Sequence, residues 1–387
     1  MTIVWWWIRF PRSVTETDDS MARGTMAGFP SEPEAISIEW LNTQLYEKGL
    51  LEAQDAITGF EWERVGTGQV GDSVRLTLTY RDGQVGPQSL VAKLPSPDAT
   101  SRATAGAFQL YRKEVGFYQD LAPHLEVRVP ETFATAISAH GDDFVILFED
   151  LGPARGGNQL IGCSLDDARL AIEQAAAFHA PSRGNAALLS ADWLHPRAEL
   201  GAQLMALYPQ AQAVFGARYG DVLEPELMDI CEGLAINAEL WFARQPEAPC
   251  LIHGDFRLDN MLFGIKGGAE PIAVLDWQTV AIGDGLTDIG YFLGCGVGSS
   301  LRRPHEQELL TLYADAMAQR GVRLAPGDLM DQYRIGALHG VATAVFSSAN
   351  VVRTDRGDEN FLSMARGACE LARDHDRLGV LRHKASS

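Results

Sequence analysis

Two segments carry residue types at spacings that could do chemistry, LIHGDFRLDNMLF at 251–263 and IAVLDWQ at 272–278. Phosphoryl transfer needs a carboxylate that receives a hydroxyl proton, an amide that holds Mg²⁺, and a second carboxylate on the metal bridging the phosphates. Asp255, Asn260 and Asp276 supply these groups in that order. Arg257 lies two residues past Asp255, where a guanidinium could reach a transferring phosphoryl group, or pair with Asp259 instead. His253 suits orienting the backbone through hydrogen bonds better than acting as the base. Asp284 and Asp288, in GDGLTDIGYFL, open a helical stretch and are read as caps that hold the loop. His253, Asp255 and Asp276 as ligands of a hydrolytic metal centre is the other reading, with a lone histidine as its weakness.

A phosphate-binding end is also present. Gly66, Gly68 and Gly71 in GTGQVG satisfy G-x-G-x-x-G, a pattern that also fits a plain hairpin turn. A dinucleotide fingerprint must lead into a helix, whereas here the alternating VRLTLTY follows, giving strand, turn, strand. Lys93 sits in the apolar run LVAKLP, where an ammonium needs an anionic partner. Glu114 shares a helical face with Tyr111, Phe117, Tyr118 and Leu121, so the two charges suggest each other, as a phosphate-binding pair or as a buried structural one.

These residues must be positioned by two kinds of element. Val74, Leu76, Leu78 and Tyr80 alternate with polar residues, and further strand-like runs cover 89–94 and 144–148 around one helical segment with Ala107, Leu110 and Tyr111 on its face. From Leu165 onward helical periods dominate, over 165–180, 196–245, 304–320, 327–350 and 358–380. His179 falls on the apolar face of the first and is read as a core residue. The pattern predicts an α+β, bilobal protein-kinase-like fold, with a small β-rich N-terminal lobe at 33–152 and a larger helical C-terminal lobe at 153–387. Glycine and proline in EDLGPARGG (149–157) mark the boundary. Residues 1–32, with MTIVWWWIRFPR at their start, are expected to be a disordered tail, with translation from Met21 or Met26 as one account of them and an interfacial anchor as another.

Composition excludes several classes. The chain has 387 residues with Lys+Arg 32 against Asp+Glu 51, a net charge of −19 that repels nucleic-acid backbones and anionic lipid. The same field mildly favours cationic acceptors. Five scattered cysteines indicate neither a zinc site nor a disulfide framework, and fit a cytoplasmic setting. No apolar run reaches the roughly 20 residues that span a bilayer.

HGDFRLDN (253–260), VLDWQ (274–278) and GDGLTDIGYFL (283–293), in that order, resemble the aminoglycoside phosphotransferase and choline kinase superfamily with its HGDxxxxN motif. The ecdysteroid-kinase-like and acyl-CoA-dehydrogenase-associated branches look nearest, and the likeness runs from Gly66 to Leu293. It implies ATP or GTP bound with Mg²⁺ between the lobes, Asp255 as base, Asn260 and Asp276 on the metal, and Lys93 on the phosphates. The chain departs from protein kinases in having HGD for HRD, no glycine directly after Asp276-Trp277, and only a short link from Asp276 to Asp284. The expected partners are therefore a nucleotide and a hydroxylated small molecule rather than a peptide, for a monomer or homodimer. The acceptor stays open among aminoglycosides, choline-like amines, sugars, steroids and hydroxyacyl compounds. A catalytically silent nucleotide- or metabolite-binding protein of the same fold is the alternative.

Overall fold

The computed structural model describes residues 28–66, 70–195, 198–246, 248–350 and 353–375. Gly68 and most of the expected tail, residues 1–27, lie outside them. The chain divides into two compact units: one runs to Pro123 and includes Val129–Gly152, and the other takes in His124–Arg128 and everything from Pro153 on.

The first unit is built on α1 (Ile38–Glu47) and a sheet of β1 (Ile57–Val65), β2 (Gly71–Tyr80), β3 (Ser89–Pro95), β4 (Thr132–Ile137) and β5 (Phe144–Glu149). The order is β1-β2-β3-β5-β4, antiparallel throughout. Alternation in β2 sends Val74, Leu76 and Leu78 into the core with Leu41 and Leu45 of α1. Ser37 caps α1 by accepting from Trp40 N at 3.1 Å. Asn42 then fastens α1 to β1, bonding both the N–H and the C=O of Ile57 at 2.9 Å.

The single helix expected before β4 is instead two, α2 (Ala99–Ala107) and α3 (Leu110–Gly116), continued by a wider turn at Phe117–Leu121. Gln109 breaks them with a left-handed φ of 56°.

The second unit is mostly helical. Its α4 (Leu165–Ser182) starts on a capping box in which Ser164 and Asp167 satisfy each other's backbone N–H groups. The long helical period expected over 196–245 is three helices, Ala198–Tyr219, Pro225–Ile236 and Ala238–Phe242. Gly220 follows the first and Pro225 begins the second, each where its backbone is tolerated. Helices Ser299–Gln319, Pro326–Asn350 and Asp355–Asp374 complete the unit. Two small ladders lie among the helices, β6 (Arg155–Gly156), β8 (Met261–Gly264) and β9 (Glu270–Val274) in one and β7 (Cys250–Ile252) with β10 (Ala281–Gly283) in the other. The segment before β4 belongs to this unit: Val274 N donates to Arg128 O at 2.9 Å and Glu126 N to Ala177 O at 3.1 Å. Among the described residues no helix is long and apolar enough to cross a membrane.

Candidate active site

The loop carrying Asp255 is pinned at both ends, by β7 before it and β8 after it. Gly254 makes its sharp turn at φ +80°, where an added Cβ would lie 2.7 Å from Thr279 O. Only glycine fits there. His253 is buried with both ring nitrogens engaged: Nε2–H donates to Leu275 O at 2.9 Å, and Nδ1 accepts from Asp255 N at 3.3 Å. That leaves no lone pair for a metal and fixes the ring's orientation. Among the described residues no group of three or more His, Cys, Asp or Glu could hold a metal ion, so the hydrolytic metal centre has no ligand set here.

Asp255 is 2% exposed and its carboxylate is held on three sides. Oδ2 accepts from Asn260 Nδ2 at 2.7 Å and from Arg257 Nε at 3.0 Å, and Oδ1 accepts from Tyr291 Oη at 2.9 Å. Asn260 also donates to Asp255 O at 2.9 Å, which closes the loop on itself. The amide nitrogen being used this way, the amide oxygen is the atom a cation would meet. Leu275 N donates to Asn260 O at 2.8 Å, and the β8–β9 register pairs Met261 with Val274, so the chain delivers Asp276 close to Asn260. Asp276 adopts φ 64°, ψ 63°, a left-handed conformation costing about 1–2 kcal/mol outside glycine. Gln278 Nε2 donates to its Oδ2 at 3.2 Å, and it caps no helix. Strain of this kind collects at functional sites.

Arg257 is committed to two carboxylates, Asp255 and, through Nη1 at 2.9 Å, Asp259. The pairing with Asp259 was one of the two sequence readings, whereas the bond to Asp255 is new. Burial opposes the guanidinium's charge, but Asp255 and its neighbours outweigh it and raise the pKa. Asp259 is itself tied down by Gln159 N at 2.9 Å.

Asp284 and Asp288 do not cap the helix Leu286–Tyr291, whose N-cap is Gly285 without a side-chain bond. Asp288 is fully buried and turned toward the loop instead. Its Oδ2 accepts from His253 N at 2.6 Å and its Oδ1 from Gly254 N at 3.0 Å. It thus holds the loop, as expected, by gripping its backbone and not by capping. Burial disfavours the Asp288 charge, yet His179 and then His253 hold its pKa below the usual carboxylate value.

His179 proves to be more than core filling. Its Nε2–H donates to Asp288 Oδ2 at 3.2 Å and its Nδ1 accepts from Tyr313 at 3.0 Å, while burial pushes its pKa down and keeps it neutral. His339 donates from Nε2 to Gly254 O at 2.9 Å, and Thr279 Oγ1 donates to His253 O at 2.8 Å. Spacing puts His179 on an apolar face, which reads as core, and picks out none of His339, Thr279 and Tyr291. The available signal was a polar side chain at an apolar-periodic position, which must find a partner inside.

In the first unit, Lys93 Nζ on β3 lies 2.5 Å from Glu114 Oε1 on α3, with the side chains 14% and 1% exposed. The strand lysine and helix glutamate are therefore joined. Gly66 has φ +82°, and a Cβ on Gly71 would come within 3.0 Å of Leu94 O, so both described glycines occupy places a side chain would disturb. Tyr111 anchors the start of β2, donating to Val70 O at 2.6 Å and accepting from Ser96 N at 3.2 Å.

Comparison with known proteins gives the family and the fold. A model of the phosphotransferase enzyme family matches residues 70–324, and the chain belongs to that family. Among curated proteins, acyl-CoA dehydrogenase family member 10 of Mus musculus is 51% identical over 41 residues, which is 11% of this chain and 4% of that protein. Family member 11 of Homo sapiens is 55% identical over 42 residues, 11% of this chain and 5% of that protein. Among solved structures, a candidate aminoglycoside phosphotransferase of Ralstonia eutropha superposes with a TM-score of 0.52 at 15% identity, covering 87% of this chain and 98% of that one. An aminoglycoside 2'-phosphotransferase solved as its GDP complex gives 0.50 at 17%, covering 87% and 97%. At such identities the likeness is one of fold: α+β, bilobal and protein-kinase-like, with a β-rich N-terminal lobe and a larger helical C-terminal one.

Proposed function

We propose that this phosphotransferase is a small-molecule kinase that moves the γ-phosphoryl of ATP or GTP to a hydroxyl group in a Mg²⁺-dependent reaction. The observation that carries the reading is the Asp255 carboxylate, fixed by Tyr291, Asn260 and Arg257 on a strand-pinned loop, with strained Asp276 delivered beside Asn260. Asp255 takes the acceptor's proton. Asn260 and Asp276 would hold Mg²⁺, an ion that takes only one or two protein carboxylates where phosphates are also bound. Lys93, held by Glu114, and the Gly66–Gly71 turn engage the phosphates, and Arg257 offsets charge as the phosphoryl group moves. The metal supplies charge neutralisation on the phosphate oxygens, and the chain's part is to fix geometry and accept the proton.

The test is nucleoside diphosphate release by the purified full chain with Mg²⁺ and ATP or GTP, against a panel of aminoglycosides, choline-like amines, sugars, steroids and hydroxyacyl thioesters. General base catalysis contributes about 10²–10⁴-fold, so Asp255→Asn should lose at least about 100-fold in turnover while still binding nucleotide. Thermal stabilisation by nucleotide with no turnover against any acceptor would instead mark a catalytically silent binding protein.

A further inference from the structure

The two oxygens of the Asp255 carboxylate are not equivalent. A carboxylate oxygen offers about two lone-pair sites. On Oδ2 both are taken, by Asn260 Nδ2 at 2.7 Å and Arg257 Nε at 3.0 Å. Oδ1 accepts one bond, from Tyr291 Oη at 2.9 Å, and keeps one site. We infer that Oδ1 is the atom that takes the acceptor's proton and that Tyr291 is the positioning residue that aims it. The inference rests on the reading of Asp255 as base.

Tyr291 is built to hold still. Its side chain is fully buried, edge-on to His339 with ring centroids 5.2 Å apart and planes at 82°. His339 in turn grips Gly254 O, one residue before the base. The helix Leu286–Tyr291 meets the helix Pro326–Asn350 backbone to backbone: a Cβ on Gly336 would lie 2.2 Å from Leu286 O, and one on Gly290 2.6 Å from Ala337 N. No side chain separates the two helices there, so the Tyr291 hydroxyl has little freedom to leave Oδ1. Burial, reinforced by the Asp255 charge, pushes its phenol pKa well up and keeps it a donor. Asn260 and Arg257 hold Oδ2 alone, and because the terminal torsion is intrinsically broad, the Tyr291 bond is the one that sets where Oδ1 points.

In the step itself, the acceptor O–H gives its proton to Oδ1 as the acceptor oxygen bonds to the γ-phosphorus. The bond from that phosphorus to the bridging oxygen breaks, and its electron pair leaves with the nucleoside diphosphate. Tyr291 keeps its own proton, and Asp255 later returns the one it took to solvent.

Tyr291→Phe removes one oxygen and leaves the ring. With MgATP and water as the acceptor, the variant is expected to lose up to about 100-fold in kcat, with KM for MgATP within about twofold of wild type. An unchanged kcat in Tyr291→Phe, beside a lost one in Asp255→Asn, overturns the positioning role and leaves the base standing. Full activity in Asp255→Asn overturns the base reading instead. Crystal structures of both forms with MgADP decide the matter whatever the turnover. The Asp255 carboxylate should be turned or split between orientations in Tyr291→Phe, and a single wild-type orientation there refutes the inference.

Discussion

Replacing Asp288 with asparagine separates the grip on the Asp255 loop from the chemistry proposed for it. The wild-type carboxylate is fully buried and takes three N–H groups, His253 N and His179 Nε2 on Oδ2 and Gly254 N on Oδ1. An asparagine can keep its carbonyl at the Oδ2 position and retain two of them, without the negative charge. Its NH₂ then faces Gly254 N–H at the 3.0 Å now spanned by a hydrogen bond, donor against donor. A bond to a charged group is worth about 1.5–3 kcal/mol, and a stranded buried donor costs about 1–3 more. Removing a buried charge returns part of its desolvation penalty, so the net loss should be about 2–4 kcal/mol. At roughly 2–4 °C per kcal/mol, the thermal midpoint should fall by roughly 4–16 °C. Turnover should fall further than stability suggests, because a loop displaced by about 1 Å can cost about 100-fold. Calorimetry and nucleoside diphosphate release, each with Asp288→Asn beside wild type, check the two halves. A variant within about 1 kcal/mol of wild-type stability, with turnover to match, would show that the Asp288 contacts do not hold the loop. Because the folded pKa of Asp288 is lowered, its contribution is present above the unfolded value of about 3.9 and lost as pH falls through the folded one.

Asp276→Asn keeps a residue type that tolerates left-handed backbone but removes the charge proposed for Mg²⁺, so the Mg²⁺ concentration for half-maximal turnover should rise by about tenfold or more. An unchanged Mg²⁺ dependence would take Asp276 off the metal. Burial lowers the pKa values of both His179 and His339, so below the unfolded value of about 6.5 the unfolded chain binds protons that the folded one refuses. Stability should therefore be full above that value and decline as pH falls from it, and a urea midpoint that stays flat from pH 7.5 to about 5 would contradict this.

What could be read in the chain and what could not divide along a physical line. The five-residue step from Asp255 to Asn260 is local, and the structure shows why it recurs as a unit: Asn260 bonds both the backbone and the carboxylate of Asp255. The alternation of Val74, Leu76 and Leu78 is equally local, since a strand with one buried face must repeat every second residue. Lys93 and Glu114 were legible for another reason, because a charge on an apolar face demands a partner even when its place is unknown. His179, His339 and Tyr291 made the same demand. Their partners lie 109, 85 and 36 residues away and are chosen by how helices pack, which no periodicity encodes. The left-handed turn at Gln109 belongs with them, as neither glycine nor proline marks it. Gly220 and Pro225 do mark the first break within 196–245, yet a continuous apolar period hid it, and neither glycine nor proline marks the second, at Asn237. Local chemistry thus names the candidate reacting groups, while the aim proposed for them, above all which oxygen of Asp255 keeps an open site, depends on long-range backbone contact such as that of Gly336 with Leu286.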